Sequence, residues 1–114
     1  MPLPDDDVEV IHRWVAALNA DMPPHAATQL RYRAESHRNA VTVLECRLVD
    51  LNDLSGDWFE VCVARLRFTR SRGWELYYAD RNSDFHAYDL VDPTDDVSEL
   101  LAEISRDPTG IFFG

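Results

Sequence analysis

The sequence predicts an α+β fold, a five-stranded antiparallel meander sheet with an N-terminal and a C-terminal helix packed on one face. Three observations predict it. Apolar residues recur at three-four spacing near each end of the chain, the period falls to two between them, and short clusters of turn residues separate the two-period segments. With 114 residues, 46% of them hydrophobic and 28% charged, the chain is sized for one core that needs no metal or disulfide. The expectation is a single domain over residues 1–114.

Pro4 followed by Asp5-Asp6-Asp7 marks a helix start, with an Asp cap and acidic groups at the positive end of the helix dipole. Val8, Ile11, Val15 and Leu18 form its stripe, Trp14 lies beside it, and Pro23-Pro24 closes it, which predicts a helix over about residues 6–20. Leu30, Tyr32 and Ala34 then alternate with Gln29, Arg31, Arg33 and Glu35 as a first strand. Ser36-His37-Arg38-Asn39 turns the chain into a second strand, residues 41–49, with Leu44, Cys46 and Leu48 on one side and Val43, Glu45 and Arg47 on the other. A polar loop over 50–58 leads to a third strand, 59–69, where Cys62, Ala64, Leu66 and Phe68 oppose Val61, Val63, Arg65 and Arg67.

Gly73 ends the next turn at a position suited to positive φ. The fourth strand alternates Trp74, Leu76 and Tyr78 with Glu75 and Tyr77; after Asp80-Arg81-Asn82-Ser83 a fifth strand runs over 85–90. A register with Tyr78 opposite His86, Leu76 opposite Tyr88 and Trp74 opposite Leu90 keeps apolar groups together. In the preceding hairpin Phe68 meets Trp74, Leu66 meets Leu76 and Arg67 meets Glu75. Asp96 with Glu99 predicts a capping box for the last helix, striped by Val97, Leu100, Leu101 and Ile104 and ended by Asp107-Pro108. The apolar tail after it is expected to pack down.

The net charge of −10 weighs against nucleic acid as a partner. All eleven basic residues are Arg, and nine of them lie between Arg31 and Arg81, a nearly neutral span between acidic flanks. Two cysteines, Cys46 and Cys62, make no disulfide framework, and as strand neighbours on the core face they offer a metal only two ligands. No apolar run approaches the roughly 20 residues of a membrane span. The opening residues have neither the basic start nor the apolar core of a signal peptide. A cytoplasmic protein with reduced thiols and no membrane partner is expected.

Val63-Ala64-Arg65-Leu66-Arg67-Phe68, Arg70-Ser71-Arg72-Gly73-Trp74, His86-Ala87-Tyr88 and the closing Asp107-Pro108-Thr109-Gly110-Ile111-Phe112-Phe113-Gly114 together form a pattern. On these segments, and more loosely on Leu30-Arg31-Tyr32-Arg33 and Val41-Thr42-Val43-Leu44, the chain resembles the bacterial family of small proteins called domain of unknown function 3024. The resemblance covers nearly the whole length and implies a Trp near Phe85, where this chain carries Phe. It implies no activity.

No Gly-x-Ser-x-Gly elbow, phosphate-cradling glycine loop, His-x-x-x-His or Cys-x-x-Cys pair is present, so neither a cofactor nor a metal is expected. Two sites remain. The sheet face away from the helices is expected to carry Arg31, Arg33, Glu45, Arg47, Arg65, Arg67, Glu75 and Tyr77, interleaved with Val41, Val43, Val61, Val63 and Phe85. Arg31, Arg33, Arg65, Arg67 and Tyr77, with Arg70 and Arg72 in the turn, are its candidate binding residues. They fit a small non-enzymatic interaction domain with a protein partner or a second copy. The alternative is a ligand-binding protein or enzyme with a pocket around His86, Tyr78 and Tyr88, His86 serving as acid or base.

Overall fold

The computed structural model describes residues 3–113; Met1, Pro2 and Gly114, the glycine that ends the closing aromatic segment, lie outside them. The elements are α1 (Asp5–Ala20), α2 (Pro24–Ala27), β1 (Leu30–His37), β2 (Ala40–Leu48), β3 (Trp58–Thr69), β4 (Gly73–Ala79), β5 (Phe85–Ala87) and α3 (Val97–Arg106). The strands form one antiparallel sheet in the order β1-β2-β3-β4-β5, the expected meander. Helices α1 and α3 pack on one face of it. Ile11 and Val15 from α1 and Val97, Leu100, Leu101 and Ile104 from α3 join Val41, Val43, Ala64, Leu66, Trp74 and Leu76 in one buried cluster.

The helix ends differ in detail from expectation. Pro4, not an aspartate, stands at the N-cap of α1, and Asp5, Asp6 and Asp7 fill the first turn, where their charge faces the free amides. Pro24 does not only stop α1. It opens the short α2 at a first helical position, where a missing N–H costs nothing. Asp96 caps α3, its carboxylate accepting from Ser98 N at 3.0 Å, but the expected capping box with Glu99 does not close, because the Asp96 N–H donates to Thr94 Oγ1 at 3.0 Å. Two indoles tie the elements together: Trp14 Nε1 donates to Ser105 Oγ at 2.9 Å, helix to helix, and the wholly buried Trp74 donates to Asp7 Oδ2 at 3.0 Å, sheet to helix.

The closing segment works as a clasp. Asp107 adopts a left-handed conformation at φ 43°, and its two carboxylate oxygens accept the backbone N–H groups of Phe112 and Phe113 at 3.0 and 2.9 Å. Gly110, at φ 71°, returns its N–H to Asp107 O. The turn sends Phe112 against Tyr88, with ring centroids 5.0 Å apart, and Phe113 edge-on to Tyr32 at 5.8 Å. Beside it the buried Glu103 accepts from Tyr88 OH at 2.6 Å and pairs with Arg106. These two hydrogen bonds hold the Glu103 carboxyl below its ordinary 4.5, while burial and then Glu103 push the Tyr88 phenol up to about 12.

Three register details correct the sequence reading. First, β5 ends at Ala87 rather than at residue 90. Tyr78 faces His86 and Tyr88 N–H reaches Leu76 O at 2.9 Å, as expected, but Trp74 pairs with Thr94 and Leu90 stays 64% exposed. Gly73 makes room for this, since a Cβ there would stand 2.7 Å from Thr94 O, and its φ of +77° suits glycine alone.

Second, β3 carries a bulge. Val43 faces Ala64 while Leu44 faces Cys62, so Val63 is an extra residue, and Val63 and Ala64 are both buried in the core. Third, the two sides of β2 are exchanged. Val41 and Val43 face Leu66 and Ala64 on the helix side, together with Glu45, Arg47 and Val61, while Leu44, Cys46 and Leu48 lie on the other face. One alternation along β2 opens with Val41 and Val43 but goes on to Glu45 and Arg47, the other holds Leu44, Cys46 and Leu48, so hydrophobicity alone points to the wrong face.

Candidate interaction face

The helix-free face is built from alternate positions of four long strands. Arg31, Arg33 and Glu35 stand on β1; Thr42, Leu44, Cys46 and Leu48 on β2; Trp58, Glu60, Cys62, Arg65 and Arg67 on β3; Glu75 and Tyr77 on β4. The five strand residues proposed from sequence, Arg31, Arg33, Arg65, Arg67 and Tyr77, therefore share one face. Arg65 stands directly opposite Tyr77 and Arg67 opposite Glu75. Arg70 and Arg72 lie in the turn at the end of that face, Arg72 reaching Glu75 at 3.6 Å. Val41, Val43, Val63, Glu45 and Arg47 do not belong to it.

Most of these arginines are oriented by the chain itself. The Arg31 guanidinium lies 4.0 Å from the centre of the Trp58 ring, and that of Arg65 lies 3.9 Å from the Phe85 ring while donating to Thr42 Oγ1 at 3.0 Å. Arg33 pairs with Glu60 and with Glu35, the latter at 3.1 Å; the bond from Arg33 holds the Glu60 carboxyl below the usual range. Under this layer Leu44, Cys46 and Leu48 are buried without a helix above them, because long arginine stems and Trp58 cover apolar surface while their charged heads stay wet. Burial first, then its hydrogen bond to Glu60, pushes the Cys46 thiol up. Both cysteines are free. Arg67 and Arg70 are exposed and, among the described residues, have no ion-pair or hydrogen-bond partner.

The three residues of the alternative pocket separate. Tyr78 and His86 touch, with ring centroids 5.4 Å apart, but His86 is on the surface, where Nε2 donates to Asp80 Oδ2 at 2.8 Å. That aspartate is a residue the sequence reading did not single out. Asp80 also accepts the backbone N–H groups of Asn82 and Asp84 at 2.8 and 3.0 Å, so one carboxylate organises the whole β4–β5 turn. The His86 bond and then these amides keep its carboxyl below the usual range. Tyr88 is turned inward onto Glu103 and Phe112. The polar cleft of about 410 Å3 that Tyr88 lines includes Arg72, Glu75 and Tyr77 but neither His86 nor Tyr78.

One further feature went unread. β3 has 12 residues and β4 only 7, and their pairing runs from Ala64 to Thr69 on β3. Residues 58–62 thus have β2 on one side and, among the described residues, no strand on the other. The unequal lengths were visible in the sequence, where the third strand already outran the fourth. Phe59 and Val61, 44% and 37% exposed, project from this segment on the helix side, with Val49, Leu51 and Leu54 exposed in the adjoining loop.

Among the described residues, no helix is long and apolar enough to cross a membrane, and no three His, Cys, Asp or Glu side chains are placed to hold a metal. The family described as Domain of unknown function (DUF3024) matches residues 3–114. No curated protein and no solved structure matches the chain.

Proposed function

The chain belongs to the DUF3024 family, and from that premise we propose that it is a small non-enzymatic interaction domain whose Arg-bearing, helix-free face takes an acidic segment of a protein partner. The observation that carries this reading is the gathering of Arg31, Arg33, Arg65 and Arg67 on one face of a chain whose net charge is −10, with Arg70 and Arg72 extending it at one end. The forks of Arg31 and Arg65, held by aromatic rings, lose little entropy on meeting a carboxylate, and Arg67 and Arg70, exposed and without a partner among the described residues, add donors free to do so. Tyr77 beside Arg65 supplies an amphipathic anchor of the kind enriched at interfaces. A cytoplasmic location goes with this reading.

The test is a titration of a fluorescein-labelled peptide of alternating Val and Glu, followed by anisotropy. Binding should weaken with added salt and fall at least tenfold in the double variant Arg67→Glu/Arg70→Glu, at two exposed positions. Equal affinity of the variant and the parent chain, or no binding up to millimolar peptide, would sink the proposal.

A further inference from the structure

The bare side of β3 has a definite chemistry. Val49 N donates to Asp57 O, so these two residues form a hydrogen-bonded pair, and the antiparallel alternation then directs the backbone groups of Phe59 and Val61 toward β2. The N–H and C=O groups of Trp58, Glu60 and Cys62 are left pointing out of the sheet. At two positions the sheet covers such groups: those of Tyr32 on β1 are taken by the side-chain amide of Asn19 at 2.8 and 2.9 Å, and those of Trp74 on β4 by Thr94. Among the described residues, nothing does this for residues 58–62.

We infer that this edge is a strand-addition site for an extended, basic and apolar peptide segment of another protein, on a surface distinct from the Arg face. Backbone groups of the incoming strand would bond to those of Trp58, Glu60 and Cys62, and its apolar side chains would lie beside Phe59 and Val61. Its charge follows from the surroundings. Asp50, Asp53 and Asp57 are exposed around this end of the hairpin, where Arg47 is already paired with Glu45 and Arg33 is shared between Glu60 and Glu35. A Lys or Arg at alternate positions meets that field favourably. A second copy meets it poorly, because an antiparallel pair centred on Glu60 sets Glu60 against Glu60.

The probe is an acetylated, amidated, fluorescent peptide of alternating Lys and Val, measured by anisotropy, with a version N-methylated at alternate amides that keeps charge and side chains but cannot pair as a strand. The parent peptide should bind, the N-methylated peptide at least tenfold more weakly, and Arg67→Glu/Arg70→Glu should bind no more weakly than the parent chain. Glu60→Pro removes only an outward N–H from the backbone and should lose at least tenfold; Val61→Lys, at an exposed position, gives the same loss by repulsion if the proline variant fails to fold. Equal binding of both peptides, no binding to millimolar concentration, or sedimentation showing a dimer that Val61→Lys dissociates would each overturn the proposal.

Discussion

The two halves of β3 share a strand but are finished differently. From Ala64 onward the strand lies between β2 and β4 under both helices, and loose backbone groups near it at Trp74 and in the returning tail meet a built partner, Thr94 and Asp107. Over residues 58–62 the same strand has one neighbour, exposed Phe59 and Val61, and an unanswered backbone edge. Long open edges invite pairing with other chains, and proteins ordinarily blunt them. Glu60 and the aspartates beside it do part of that blunting by charge, which rejects like-charged strands and leaves room for an oppositely charged one. Stability therefore resides in the covered half, and both proposed recognition surfaces lie where the helices leave the sheet free.

The contrast can be broken most sharply at Trp74. Trp74→Ala removes the largest wholly buried side chain and the bond to Asp7, and should cost about 3–5 kcal/mol in urea unfolding. A loss near zero would mean that the covered half does not hold the fold. The clasp is the next target. Asp107→Ala deletes a carboxylate that accepts two backbone N–H groups and should cost about 2 kcal/mol. The amides of Phe112 and Phe113 should lose their hydrogen-exchange protection while those of β2 and β3 keep theirs. Asn at the same position tolerates the left-handed backbone and should recover part of the loss. The smallest effect belongs to the open half. Phe59→Ser should move the unfolding midpoint by no more than about 0.5 kcal/mol equivalent, since the ring is nearly half exposed. A large loss there would show that the projecting hairpin is part of the core after all.

Most of the architecture was legible because period, turns and caps agreed. Tyr78 opposite His86, Leu66 opposite Leu76, Arg67 opposite Glu75, and a positive φ at Gly73 were all readable from alternation and turn chemistry. The faces of β2 were not, because Val41 and Val43 compete with Leu44, Cys46 and Leu48 as core residues and only tertiary packing decides between them. The bulge had no local mark either: Val63 is an ordinary strand residue, with no glycine or proline beside it. The short β5 was hidden because what replaces Leu90 beside Trp74 is Thr94, brought back by a loop that leaves no period. At the candidate face the five strand residues were readable because β1, the later part of β3, and β4 keep strict alternation. What orients them, Trp58, Phe85 and Glu60, depends on cross-strand neighbours at the far side of the bulge or at the sheet edge. Asp80 was passed over as one more turn residue, since nothing in a turn sequence says which later side chain its carboxylate meets.

The extra residue at Val63 also changes how the strand counts. Before it, odd-numbered side chains face the helices, Phe59 and Val61; after it, even-numbered ones do, Ala64, Leu66 and Phe68. The strand is two phases spliced at one point. A single deletion there would close the bulge, with Ala64 still facing Val43 and Cys62 still facing Leu44, so both halves would keep their faces and the strand would lose the buried Val63 side chain and the local bend that the bulge gives it. The joint therefore serves packing more than register: it lets Val63 and Ala64, neighbours in the chain, both enter the core, which a regular strand does not allow.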